Sequence, residues 1–88
     1  MDILERHARN RLKNEECFAQ LQSMGIVPKS KMFKFYKNVS QAFTELDKEA
    51  VECRRTKKVT LKYTELERNF HECITIFEQW SIMAALSY

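Results

Sequence analysis

The sequence contains a single glycine and a single proline among its 88 residues. β-Sandwiches and barrels need a turn about every 8 to 12 residues, and those turns draw on glycine and proline. The glycine-rich loops that hold phosphate in P-loop and dinucleotide-binding proteins are excluded for the same reason. The scarcity of turn residues therefore predicts an all-α fold.

Long apolar runs are also missing. No stretch approaches the roughly 18 consecutive apolar residues that a membrane span needs, and the opening segment MDILERHARNRLK has no apolar core of a signal peptide. We expect a cytoplasmic or nuclear protein that is not secreted by a cleavable signal peptide and does not bind a membrane.

The cysteines are few, and they contain no CxxC pair. Cys17, Cys53 and Cys73 are odd in number and widely spaced, which argues against an extracellular disulfide framework. Each stands where a helical pattern calls for an apolar side chain. We therefore interpret them as buried thiols that pack like small hydrophobic residues.

Three helical segments can be recognised in the sequence, at about 2–24, 30–56 and 60–87. Asp2 is a suitable N-cap for the first segment, and Gly25 is a suitable residue to end it. Pro28 then favours an extended link, and Ser30 can cap the second helix. The chain is predicted to form one α-helical domain over 1–88, a three-helix bundle built on a long antiparallel helical hairpin.

The second and third segments each carry an uninterrupted seven-residue repeat with apolar residues at two of every seven positions. In the second segment these residues are Met32, Tyr36, Val39, Phe43, Leu46, Ala50 and Cys53. In the third they are Val59, Tyr63, Leu66, Phe70, Cys73, Phe77, Trp80 and Ala84. Because the two repeats are out of phase, the chain must reverse or slip its phase between Arg54 and Val59.

A reversal centred on residue 58 brings the two repeats face to face. Small residues then lie opposite large ones, as in the pairs Ala50–Leu66 and Phe43–Cys73, which is how a core fills its volume. No glycine or proline interrupts 54–59, however. The alternative is one helix from Ser30 to Tyr88, about 85 Å long, that dimerises as a coiled coil.

The first segment carries a less regular apolar stripe. Its members are Ile3, Leu4, Ala8, Leu12, Cys17, Phe18, Leu21 and Met24. The polar residues Arg11, Asn14 and Glu15 interrupt this stripe in the middle. We expect the helix to pack on the hairpin through its second half, with looser amino-terminal turns.

Residues with catalytic chemistry are few. His7 and His71 lie in no recognisable constellation, and the zinc motif HExxH is absent. Glu67 lies one helical turn before His71 and is predicted to hold it in a surface pair. We therefore expect no enzyme activity, no catalytic or metal-binding residues and no cofactor.

The carboxyl-terminal end is uncharged from residue 79 to residue 88 and is apolar on several helix faces. Monomers seldom expose large apolar patches, and Trp, Tyr and Met are enriched at protein interfaces. The predicted partner-binding residues, called the carboxyl-terminal surface below, are Trp80, Ile82, Met83, Leu86 and Tyr88. The sequence thus favours a non-catalytic interaction module, such as a small adaptor, regulatory subunit, inhibitor or co-chaperone, that binds another protein or a second copy of itself.

The alternative function is a small DNA- or RNA-binding regulator. The net charge is +3, and residues 1–37 carry eight Lys or Arg against four acids. The region 17–37, a helix, a turn and a basic helix, resembles in outline the helix-turn-helix of bacterial regulators, although Leu21 stands where that motif has a small residue. The predicted nucleic-acid-binding residues are Arg6, Arg9, Arg11, Lys29, Lys31, Lys34 and Lys37. A second place where an anionic partner would bind is the basic run Arg54, Arg55, Lys57 and Lys58.

Overall fold

The computed structural model describes residues 2–24 and 31–86, with side chains as far as residue 83. Three helices, α1 (Ile3–Ser23), α2 (Lys31–Thr56) and α3 (Leu61–Leu86), account for nearly all of these residues, and no strand occurs among them. The predicted all-α three-helix bundle is confirmed. Its extents of 48 × 18 × 17 Å match helices lying side by side, and the alternative of one helix about 85 Å long is wrong. The predicted joint at Gly25, Pro28 and Ser30 lies outside the described residues.

Two of the helix starts are capped by side chains. The Asp2 carboxylate accepts a hydrogen bond from the backbone N–H of Glu5 at 2.9 Å. The Thr60 hydroxyl oxygen accepts one from the backbone N–H of Tyr63 at 3.0 Å, while the Thr60 hydroxyl donates to Glu49 at 2.7 Å. Each cap satisfies a backbone donor that the helix itself leaves free.

The reversal between α2 and α3 takes place at a lysine. Lys57 has a φ of 59°, in the left-handed region that normally favours glycine. The backbone N–H of Lys58 donates to the carbonyl of Cys53 at 3.2 Å, which is the helix-closing bond of a Schellman motif. The chain therefore reverses without a glycine because this bond holds Lys57 in a conformation that costs about 1 to 2 kcal/mol.

The core of the hairpin follows the predicted repeats. The fully buried side chains on the two helices include Val39, Leu46, Cys53, Tyr63, Phe70 and Phe77. The ring centroids of Phe43 and Phe70 are 5.6 Å apart, and those of Tyr36 and Phe77 are 6.3 Å apart. Each of these aromatic residues on α2 therefore contacts a residue one layer away from the one predicted to face it. Each fully buried Phe or Leu stabilises the fold by about 1.5 to 3 kcal/mol.

Helix α3 also buries a second row that the apolar repeat does not reveal. Ile74 and Ser81 are buried on the side that faces α1, and Glu67 lies on the same row. α3 needs this additional row because it packs against two neighbours, whereas a two-helix repeat describes the contact with only one of them.

The predicted stripe on α1 is wrong over most of its first half, although Ile3 is buried as expected. Leu4 and Leu12 are exposed, and the residues that face the hairpin there include His7 and Asn10. The full row on α1 comprises Ile3, His7, Asn10, Asn14, Cys17, Leu21 and Met24, at the same alternating spacing of four and three as the other helices. The expectation of loose amino-terminal turns is also wrong, because this half is packed through polar side chains.

The cysteines are free thiols, with Cys17 and Cys53 buried and Cys73 half-buried. This agrees with their predicted role as packing residues. In 2–24 and 31–86, no helix combines the length and the apolarity that crossing a bilayer requires.

Replacing Lys57 by glycine should stabilise the protein. Glycine adopts a positive φ without a steric penalty, and this gain exceeds the extra entropy it gives the unfolded chain, so Lys57→Gly should raise the free energy of unfolding by about 0.5 to 1 kcal/mol in urea titrations. The matched control is Lys58→Gly in the same turn, which has no positive φ to relieve and should leave the stability unchanged or lower. If both variants lower the stability equally, this description of the turn is wrong.

Candidate functional site

Polar side chains meet in the middle of the bundle, where α1 packs against the hairpin. The group, called the polar network below, comprises Arg6, His7, Asn10, Asp47, Tyr63, Glu67 and His71. Three of its members are buried, and its hydrogen bonds connect all three helices. A buried polar group costs stability unless it is paired, so the pairing within this network decides whether α1 can pack here at all.

Asn10 is the centre of the polar network and is only 2% exposed. Its amide nitrogen donates to the Tyr63 hydroxyl at 3.1 Å and to the Glu67 carboxylate at 2.8 Å. Because a carboxylate only accepts, the nitrogen must face Glu67, which fixes the orientation of the amide. The amide oxygen then faces Nε2 of His71 at 2.8 Å and accepts its proton. Asn10 thus ties α1 to three residues of α3.

His7 connects the same network to α2. Its Nε2 donates to Asp47 at 2.7 Å, and its Nδ1 lies 3.0 Å from the Tyr63 hydroxyl. In the neutral imidazole with its proton on Nε2, Nδ1 accepts the Tyr63 proton while the Tyr63 oxygen accepts from Asn10. The ring also stacks on Phe43, with centroids 5.3 Å apart and planes 7° from parallel. Every polar atom of His7 and Tyr63 therefore has a partner.

Two arginines close the polar network at its edges. Arg6 forms a two-pronged ion pair with Glu67, and its guanidinium carbon lies 5.6 Å from the Tyr63 ring centroid. Arg11 donates to Asp47 at 3.3 Å. The bidentate geometry with Glu67 is the stronger contact, because two parallel hydrogen bonds carry the charge interaction.

The ionisation of the network follows from these contacts. The hydrogen bond from Arg6 holds the pKa of Glu67 below its usual value, and the hydrogen bond from His7 does the same for the pKa of Asp47. Burial lowers the pKa of His71 and raises the pKa of Tyr63. The packed structure therefore favours ionised carboxylates, a neutral His71 and a protonated Tyr63.

The predicted surface pair between Glu67 and His71 is wrong, because both side chains bond to Asn10 instead. The hydrogen bonds link an acid, a base and a hydroxyl in the order Asp47, His7 and Tyr63. In a catalytic site of this kind, the acid orients the base, and the base activates the hydroxyl. Yet Tyr63 is fully buried, and its oxygen already bonds to both His7 and Asn10, so a substrate has no access to it. The network is suited to holding helices together.

Two further observations concern reactive groups. Burial raises the pKa of Cys17 to about 11, so its thiol stays protonated at neutral pH and is a poor nucleophile. Within the described part of the chain, no three His, Cys, Asp or Glu side chains are grouped so that they could hold a metal ion.

The carboxyl-terminal surface is described in part. Ile82 is 61% exposed and Met83 is 54% exposed. Trp80 is half-buried: its ring stacks on Phe35 at a centroid distance of 5.4 Å, and the Lys31 ammonium lies 5.2 Å from the ring centroid. Leu86 belongs to α3, but its side chain lies outside the description, and Tyr88 lies outside the described residues.

The predicted nucleic-acid residues that the structure describes are spread along the bundle. Because α2 runs antiparallel to α1, with Phe18 beside Tyr36, Lys34 and Lys37 lie about 10 to 20 Å along the bundle from the arginines of α1. Arg6 and Arg11 are ion-paired. Arg9 is exposed, Lys31 contacts Trp80 as stated above, and Lys29 lies outside the described residues. Nucleic-acid binding through this set stays a prediction.

Two of the grooves on the bundle surface lie beside residues discussed above. One, of about 320 Å³ between α1 and α3, is lined by Lys13, Glu16, Cys17, Gln20, His71, Ile74, Thr75 and Glu78. The other, of about 500 Å³ at the end where α1 begins and α2 turns into α3, is lined by Asp2, Ile3, Leu4, Arg54, Lys57, Lys58 and Val59. The second, called the basic groove below, includes most of the basic run that the sequence singled out.

Sequence reasoning missed Asn10, Asp47 and Tyr63 as interacting polar residues. The available signal was the spacing on α1, where His7, Asn10 and Asn14 continue the apolar row of Ile3. A polar residue at a core position of a heptad is a recognised means of fixing register.

Asn10→Leu should lower the free energy of unfolding by about 2 to 4 kcal/mol, because it removes partners from buried or partly buried atoms of Tyr63, Glu67 and His71. The matched control is Asn14→Leu on the same row. The Asn14 amide oxygen is buried and has no partner among the described residues, so this variant should be unchanged or up to about 1 kcal/mol more stable. Equal losses in urea titrations of the two variants would show that the network adds nothing to packing.

The stability should fall as the pH is lowered. Folding lowers the pKa of His71, so its contribution is complete above about pH 6.5 and is lost as the pH falls through its folded value. The lowered pKa values of Glu67 and Asp47 add further losses below about pH 4.5. His71→Gln retains a donor to Asn10 without titrating, so its free energy of unfolding should change less between pH 7 and pH 5. Identical slopes in this range would contradict the role of His71.

Comparison of the chain with protein-family models, with curated proteins and with solved structures gives no significant match. The assignment of a function accordingly depends on the geometry described above.

Proposed function

We propose that this chain is a non-catalytic protein-interaction module that binds another protein, or a second copy of itself, through the carboxyl-terminal surface. The terms small adaptor, regulatory subunit, inhibitor and co-chaperone all describe such a module. The observation that carries the proposal is the exposure of two large apolar side chains, Ile82 and Met83, at the uncharged end of α3.

The position of these side chains on α3 adds support. The core-facing residues Phe77 and Ser81 are buried, and Ile82 and Met83 follow them on the outer side of the helix. Ile76, which lies seven residues before Met83 and so on the same stripe, is 43% exposed. Apolar surface therefore continues over about two turns of α3, as expected of a helix face that packs against another chain.

The interior of the bundle is consistent with this function. The polar network pairs its buried groups with one another, and burial keeps the Cys17 thiol protonated. These groups are therefore committed to folding, which leaves the outer faces of the helices as the place for function.

Ile82→Glu should abolish or strongly weaken association, because it places a charge in an apolar interface. Sedimentation velocity between about 1 and 200 μM measures self-association, and binding of a hydrophobic dye reports on the exposed surface. The matched control is Leu61→Glu at the other end of the same helix, where the side chain is 76% exposed. This variant should associate like the natural chain.

Two results would contradict the proposal. The first is a chain that stays monomeric throughout this range, binds no hydrophobic dye and retains no partner in a pull-down. The second is a loss of association that is the same for Leu61→Glu as for Ile82→Glu, because the surface would then have no special role.

A further inference from the structure

The basic groove lies at the opposite end of the molecule from the carboxyl-terminal surface. Leu61 begins α3 at this end, and Ile82 is 21 residues further along the helix, a distance of about 32 Å. The groove has a volume of about 500 Å³ and is bounded by the start of α1 and by the turn between α2 and α3.

The cations of the basic groove have no acidic partners among the described residues. Arg54, Lys57 and Lys58 are exposed and form no ion pair there. Their neighbour in sequence, Arg55, is paired with Glu52. The arginines at the edges of the polar network, Arg6 and Arg11, are also paired. Three exposed cations without an acidic partner among the described residues therefore line one groove at this end of the bundle.

The acid within the basic groove does little to offset these charges. Asp2 lines the groove, but its carboxylate accepts the backbone N–H of Glu5 and caps α1. Three cations face one carboxylate, so an anion that enters the groove meets a positive potential. The turn geometry at Lys57 and Lys58 fixes the backbone from which two of these side chains project.

The floor of the basic groove is apolar. Ile3 is buried, Val59 is half-buried and Leu4 is 60% exposed. A small free anion would leave this apolar surface in water. A ligand that buries apolar side chains against Leu4 while its carboxylates face the three cations would use both features of the groove.

We propose that the basic groove binds an acidic, amphipathic peptide segment of a partner protein. Glutamate or aspartate side chains pair with Arg54, Lys57 and Lys58, while an apolar side chain of the same segment packs on Leu4 and Val59. Nucleic acid fits this surface less well, since the groove offers an apolar floor in place of aromatic rings for base stacking and its cations do not continue as a stripe along a backbone. The chain would then have two binding surfaces, one at each end.

Fluorescence anisotropy tests the proposal directly at about 50 mM NaCl. The probe is a labelled 14-residue peptide with leucine at helical spacings of three and four and glutamate elsewhere. Comparison probes are the same peptide with lysine at each glutamate position and a 20-base-pair DNA duplex. The acidic peptide should bind more tightly than either, and its affinity should fall as NaCl is raised to about 500 mM.

Three variants locate the binding. The double reversal Arg54→Glu with Lys58→Glu should weaken the acidic peptide about tenfold, as expected for two charge contacts at an exposed site. The control reversal Lys34→Glu with Lys37→Glu makes the same change of charge near the other end and should stay within about twofold. Lys57→Gly should weaken peptide binding although it stabilises the fold, so a loss of affinity there cannot be attributed to unfolding.

The proposal is overturned if the acidic and basic peptides bind equally, if the DNA duplex binds more tightly than the acidic peptide, or if none of the probes binds. It is also overturned if the control reversal costs as much affinity as the groove reversal. Ile82→Glu should leave the affinity for the acidic peptide unchanged, so failure of this proposal and failure of the proposed carboxyl-terminal surface are distinguishable.

Discussion

The packing of α1 on the hairpin depends on the hydrogen bonds that one buried asparagine makes. Asn10 lies on a core row of α1, and it can be buried there only because Tyr63, Glu67 and His71 all lie within hydrogen-bonding distance on α3. The same alignment recurs along the two parallel helices, since the pairs Arg6–Glu67, Asn10–His71 and Gln20–Ser81 are each 61 residues apart. If α1 slid by one heptad along the hairpin, Arg6 would lie beside Ile74. An all-apolar row would permit that shift. The polar network opposes it, because the shifted arrangement would leave buried polar groups without hydrogen-bond partners.

This division of roles explains why the middle and the ends of the bundle differ. The middle contains the polar network, whose buried groups are paired with one another and hold α1 on the hairpin. The ends carry exposed groups of two kinds: the apolar side chains Ile82 and Met83 at one end, and the cations Arg54, Lys57 and Lys58 at the other. The two proposed binding surfaces therefore lie at opposite ends of a bundle about 48 Å long.

The sequence predicts the hairpin well because its apolar residues repeat at spacings of four and three. All of the repeat residues whose side chains are described, from Met32 to Trp80, are buried or half-buried. It predicts α1 poorly because His7 and Asn10 occupy the same repeat with polar side chains, and an apolar pattern passes over them. Their partners Asp47 and Tyr63 are 40 and 53 residues away respectively, so no local spacing reveals the pairing. The phase change between the two repeats predicts a reversal between Arg54 and Val59, but it does not reveal the conformation that makes the turn, because a positive φ at Lys57 leaves no mark in the sequence. The binding surfaces remain predictions, because exposure shows where a partner has room and not which partner it is.

The claim that the polar network sets the position of α1 is tested most directly by long-range ¹H–¹⁵N NMR spectra of the two imidazole rings in their neutral forms. The network requires the proton to be on Nε2 in both rings, since Nε2 of His7 donates to Asp47 and Nε2 of His71 donates to Asn10. The account predicts one Nε2–H tautomer for each ring, with ring protons that exchange slowly with water. An Nδ1–H tautomer at either ring, or a rapidly exchanging mixture of the two, would contradict it.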